Sequence, residues 1–106
     1  MGKKEPLIKE LKKFLKSLSK DFLISNIILF GSRSTKKFNE FSDVDLIIVS
    51  RDFAKLDFFE RVKKMYNYWN IDLPVDFICY TPEEFNKLRN EVSIVRDALS
   101  NGIVVK

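Results

Sequence analysis

The sequence predicts an α+β (α/β-like) fold: a small mixed β-sheet of three to four strands flanked by helices. Two nearly continuous apolar runs, Leu23 to Phe30 and Val44 to Ser50, are joined by a short polar connection, which makes them antiparallel neighbours. A helical stretch from Lys55 to Trp69 separates the second run from a third, Val75 to Tyr80, and is long enough to be the crossover that a parallel strand requires. Amphipathic helical periodicity then brackets the runs on both sides. The 106 residues, 45% hydrophobic and 32% charged, suit one globular domain over 1–106 with one core.

The elements follow in order. Leu7, Leu11, Phe14, Leu15 and Leu18 recur at helical spacing from Glu5 to Ser19, and Pro6 suits a first turn. The strand Leu23 to Phe30 ends at Gly31, which permits an unusual backbone angle. A short helix over Ser32 to Lys37 and a loop over Phe38 to Ser42 are expected before the second strand. In the crossover helix, Leu56, Phe59, Val62, Tyr66 and Trp69 share one face. Asn70 to Pro74 is a turn. Thr81-Pro82-Glu83-Glu84 is a helix start, with Thr81 as N-cap, Pro82 at the first helical position and Glu84 completing a capping box. From there either two helices, Pro82 to Arg89 and Glu91 to Ser100, or one continuous helix follows, since Phe85, Leu88, Val92, Val95 and Leu99 keep phase. Asn101-Gly102 stops the helix, and Ile103 to Val105 adds a short edge strand.

Composition removes several chemistries. With no His, a His-based triad, a His general base and a His-ligated zinc site are excluded. Cys79 is alone, so no intramolecular disulfide forms, and its place in the third strand reads as core. No signal peptide or membrane-length apolar run is present, so the expectation is a cytoplasmic protein with no membrane partner. The net charge of +4 is concentrated in Lys3, Lys4, Lys9, Lys12, Lys13, Lys16 and Lys20. These lysines read as a solvated helix face, and nucleic acid is disfavoured as a partner.

The chemistry gathers between the first two strands. Asp43 and Asp45 are one residue apart at the mouth of the second strand, so both project from one face with Cα atoms about 6.6 Å apart. Such a pair suits a divalent cation, Mg²⁺ in particular, which keeps waters and takes phosphate oxygens as further ligands. The Gly31-Ser32 turn offers backbone N–H groups and a hydroxyl to phosphates. The antiparallel pairing sets this turn beside the acids, and the parallel third strand brings Asp76 to the same end. Asp76 reads either as a third site carboxylate or as an edge-strand acid facing water. Arg33 and Ser34 are further candidates for phosphate contact, Arg33 reading equally well as an exposed helix residue.

Gly31-Ser32 followed after ten residues by Asp43-Val44-Asp45, set between two apolar strands with Asp76 on a third, resembles the signature of the DNA polymerase β-like nucleotidyltransferase superfamily. The small size resembles the minimal nucleotidyltransferase proteins of prokaryotes, many of which act as antitoxins to a helical HEPN ribonuclease. The resemblance implies the nucleotidyltransferase fold and an in-line attack on the α-phosphate of ATP that transfers AMP to a hydroxyl. It also implies that Asp43, Asp45 and Asp76 serve as catalytic and metal ligands for two Mg²⁺ ions. Gly31 and Ser32, with Arg33 and Ser34, would hold the phosphates. A Tyr of a HEPN-type toxin would be the acceptor. Alternatives are an antitoxin that neutralises its partner by contact alone, and a nucleotidyltransferase for nucleic acid or a small molecule. The sequence leaves homo-oligomerisation open.

Overall fold

The computed structural model describes residues 4–31 and 43–106. The expected helix over Ser32 to Lys37 and loop over Phe38 to Ser42 lie outside the described residues. In chain order the elements are α1 (Lys4–Leu18), β1 (Ile24–Phe30), β2 (Val44–Ser50), a 3-10 helix (Arg51–Lys55), α2 (Phe58–Tyr66), β3 (Val75–Tyr80), α3 (Pro82–Leu88), α4 (Ile94–Asn101) and β4 (Ile103–Val104). The four strands form one mixed sheet in the order β3-β2-β1-β4. As the sequence predicts, β1 and β2 are antiparallel and β2 and β3 parallel. The short β4 closes the other edge against β1.

Both faces of the sheet are covered, which is why the central strands read as apolar runs rather than alternating ones. On one face Leu29, Leu46, Ile48 and Phe77 pack against Leu7, Leu11, Phe14 and Leu18 of α1 and Met65 of α2. On the other, Ile28, Ile47 and Val49 pack against Phe85 of α3 and Val95 and Ala98 of α4. Each fully buried Leu, Ile or Phe contributes about 1.5–3 kcal/mol of transfer free energy, so the two layers hold the sheet rigid beneath its ends. No helix among the described residues is long and apolar enough to cross a membrane.

One sequence-based expectation changes, and of the two readings of the C-terminal region the two-helix one holds. The crossover helix begins later than Lys55. Ser50 caps a 3-10 helix instead, and Asp57 then caps α2 in a full capping box with Glu60. The phase shifts accordingly: Arg61 and Met65 are buried, whereas Phe59 is 76% exposed and Tyr66 is exposed. Leu56, Val62 and Trp69 do pack on the core. The C-terminal region is two helices, not one. Ser93 accounts for the break: its hydroxyl donates to the Leu88 carbonyl and accepts from the Arg96 N–H, ending one helix and capping the next. Val92, in phase for a continuous helix, projects outward at 96% exposure.

Candidate active site

The ladder registers define one end of the sheet. Phe30, the last residue of β1, pairs with Asp45, and Asp45 in turn pairs with Asp76 across the parallel β2–β3 ladder. Neighbouring strands are about 4.8 Å apart. Asp45 and Asp76 therefore sit side by side on one face of the sheet, the face that carries Ile47 and Val49. Asp43, immediately before β2 and two residues from Asp45, falls on that face as well.

The height of Asp76 is fixed by three successive carbonyls just ahead of it. The Trp69 indole N–H donates to Leu73 O at 2.9 Å, the Val44 N–H to Pro74 O at 2.9 Å, and the Tyr66 hydroxyl to Val75 O at 2.5 Å. Tyr66 and Trp69 also meet the Phe77 ring edge-on, with centroids 5.0 and 5.6 Å away. These bracing contacts are invisible to periodicity, because they join helix and turn side chains to backbone carbonyls of the next strand.

Gly31 closes the site on the β1 side. Its φ is +76°, the left-handed region where a side chain is strained. A Cβ there would lie 2.4 Å from Asp45 Oδ2. The left-handed turn out of β1 is what favours glycine, and a Cβ there would also oblige the Asp45 carboxylate to move.

Electrostatically, Asp43, Asp45 and Asp76 gather negative charge at this end of the sheet. The Asp45 carboxyl titrates above its ordinary range. Burial is the largest cause, followed by the negative charges of Asp76 and then Asp43, and by a side-chain hydrogen bond with Asp76. Asp76 lies on an edge strand and is exposed, so the two readings of it meet: it faces water and stands beside Asp45. Among the described residues no group of three or more acids closes around a point where an ion would sit by itself. Asp43 and Asp76 are exposed and Asp45 is half-buried. Of the residues expected to bind phosphate, Gly31 is at the site, while Ser32, Arg33 and Ser34 lie outside the described residues.

A second polar cluster, unforeseen in the sequence, is structural. Arg61 is buried on α2 and its guanidinium donates to Phe53 O, Leu56 O, Cys79 O and, at 2.7 Å, to Glu84 Oε1. It satisfies an outward carbonyl of the edge strand β3, which blunts that edge. Burial works against the Glu84 charge, but the hydrogen bonds from Arg61 and Thr81 outweigh it and hold the carboxyl below its ordinary range. Cys79 beneath is buried, and burial pushes its thiol up to about 12. That suits a core residue and not a nucleophile.

The chain matches the nucleotidyltransferase domain family over residues 8–105 and belongs to it. Its structure is similar to a crystal structure of a candidate nucleotidyltransferase from Sulfolobus solfataricus. The TM-score is 0.68 at 18% identity, over 95% of this chain and 80% of that one, a likeness of fold. No curated protein matches the sequence. Membership of the family implies a nucleotide substrate and general nucleotidyl transfer.

Proposed function

We propose that the chain transfers AMP from ATP to a hydroxyl acceptor at the Asp43–Asp45–Asp76 end of the sheet, the acceptor oxygen bonding to the α-phosphorus as the α–β phosphoanhydride bond breaks and pyrophosphate leaves. The observation that carries this reading is the convergence on Asp45: a neighbouring carboxylate on the adjacent strand, another two residues away, and a backbone that meets it only through glycine.

Each group has a role. Asp43, Asp45 and Asp76 fit as ligands for divalent cations, because hard carboxylate oxygens facing open space suit Mg²⁺ that retains water and phosphate ligands. Burial first, and then the charges of Asp76 and Asp43, make Asp45 hold its proton, and divalent cations would relieve the part due to those charges. Two bound Mg²⁺ ions would supply charge neutralisation for the triphosphate and for the attacking and leaving oxygens. Gly31, with Ser32, Arg33 and Ser34 beyond it, is suited to phosphate contact, since a bare glycine lets the backbone come within reach of a phosphate oxygen. In this reading Asp76, exposed on the edge strand, would accept the proton of the acceptor hydroxyl. Positioning and electrostatics then carry the rest of the rate enhancement.

The acceptor we favour is a Tyr hydroxyl on a helical HEPN-type ribonuclease, with this chain acting as its antitoxin. The support is the resemblance to minimal nucleotidyltransferases and the exposure of Asp76 on the edge strand β3. The test is incubation with ATP labelled at the α-phosphate, Mg²⁺ and the purified partner. Label should enter the partner with the wild-type chain and not with Asp43→Asn or Asp45→Asn. Label entering equally with the variants contradicts the proposal, and neutralisation by both variants without label would mean inhibition by contact.

A further inference from the structure

The lysines of α1 do more than solvate a helix. Residues 1–20 carry seven lysines against two glutamates, a charge of +5, while the other 86 residues carry 12 cations and 13 acids. The positive excess of the whole chain thus resides in one segment. At 3.6 residues per turn, Lys9, Lys12, Lys13 and Lys16 fall within an arc of about 100°. That arc is diametrically opposite Leu7, Leu11, Phe14 and Leu18, which are buried against the sheet. All four lysines are exposed, and Lys20 continues the row in the turn after the helix. Glu10 offsets only Lys13, through a 3.3 Å ion pair.

The row ends at an open cavity of about 410 Å³ at the end of the sheet away from the acids. Ser19, Ser25, Arg51 and Lys106 line it together with the apolar Phe22, Leu23 and Ile24. The surface is therefore a strip of ammonium groups about 10 Å long from Lys9 to Lys16, leading to a hollow with a guanidinium, an ammonium and two hydroxyls.

We propose that this strip and its terminal hollow bind the phosphodiester backbone of a nucleic acid. The arc holds no apolar or aromatic side chain, so it lacks the dry centre of a protein–protein interface, where lysine is depleted. A row of flexible point charges matches repeated phosphates and reads no bases, so binding is independent of sequence. The surface lies on the sheet face opposite Asp43, Asp45 and Asp76 and is independent of nucleotidyl transfer.

The test is fluorescence anisotropy of the full chain with a labelled 20-nucleotide oligouridine, without ATP or Mg²⁺. About five contacts (Lys9, Lys12, Lys16, Lys20, Arg51) give a slope of log K against log salt near −3.5, so affinity falls about 100-fold between 50 and 200 mM salt. Replacing Lys9, Lys12 and Lys16 with Gln lowers the slope to about −1.4 and that fall to about sevenfold. The same three positions as Arg restore binding, and Lys63→Gln with Lys64→Gln on α2, a control of equal chemistry, leaves it unchanged. No binding at 50 mM salt, an unaltered slope in the triple Gln variant, or equal binding of polyglutamate, which would mark an acidic protein as the occupant, overturns the proposal.

Discussion

Replacing Asp45 with Asn should stabilise the protein in the absence of divalent cations. Asp45 and Asp76 pair across adjacent strands, and Asp43 adds a second negative charge nearby. At a separation of about 4.8 Å, two carboxylates repel by about 0.9 kcal/mol in a water-like dielectric and about 3.5 kcal/mol at an effective dielectric of 20. Asp45 is only half-buried and its partners are exposed, so the lower figure governs and relief of about 1 kcal/mol is expected. For 106 residues that raises Tm by about 4–5 °C. The pH dependence has a definite sign. The folded protein holds the Asp45 proton more tightly than the unfolded chain does. Wild-type stability therefore falls as pH rises from about 3.9, the unfolded value, through the raised folded value. The Asn variant lacks that fall, so its advantage is full at pH 7.5 and vanishes in acid. Thermal unfolding followed by circular dichroism in EDTA measures both. A variant no more stable than wild type at pH 7.5 refutes the claim that the acids repel one another.

Gly31→Ala should lower stability by about 1–2 kcal/mol from its left-handed backbone and should displace Asp45, into which the new methyl would project. Chemical denaturation gives the first effect, and loss of Mg²⁺-dependent nucleotide binding the second. Arg61→Met should cost about 2–3 kcal/mol, because it removes a buried donor to the Phe53, Leu56 and Cys79 carbonyls and the charge partner of Glu84. The Glu84 carboxyl is depressed when folded, so its contribution is present above about pH 4.3, its unfolded value, and is lost as pH falls through the lower folded one. The gap between the urea midpoints of wild type and Arg61→Met should therefore be widest at pH 7 and narrow in acid, the part due to the carbonyl hydrogen bonds remaining. Cys79 should resist a disulfide reagent such as DTNB in the folded protein at pH 8 and react at once in urea.

Much of the site was legible because its parts obey local rules. The bounds of β2 and β3 follow from their apolar runs, and the α3 start from Thr81-Pro82-Glu83-Glu84. The convergence of Asp45 and Asp76 follows from one short connection and one crossover, which together fix strand directions. What escaped depends on partners distant in sequence. Arg61 is buried because its acceptors come from residues 53, 56, 79 and 84 at once. Asp57, a capping residue that periodicity overlooks, reset the phase of α2 and turned Phe59 outward. The Tyr66 and Trp69 hydrogen bonds that hold the start of β3 likewise carry no pattern of their own.

Equilibrium binding of ATP by calorimetry, with Mg²⁺ and with EDTA, tests the assignment of the acidic end most directly, because it needs no acceptor. Wild type should bind ATP with Mg²⁺ and lose at least tenfold in affinity in EDTA, and Asp43→Asn and Asp45→Asn should lose the Mg²⁺ dependence. ATP bound equally tightly in EDTA, or undiminished by either substitution, would contradict the assignment.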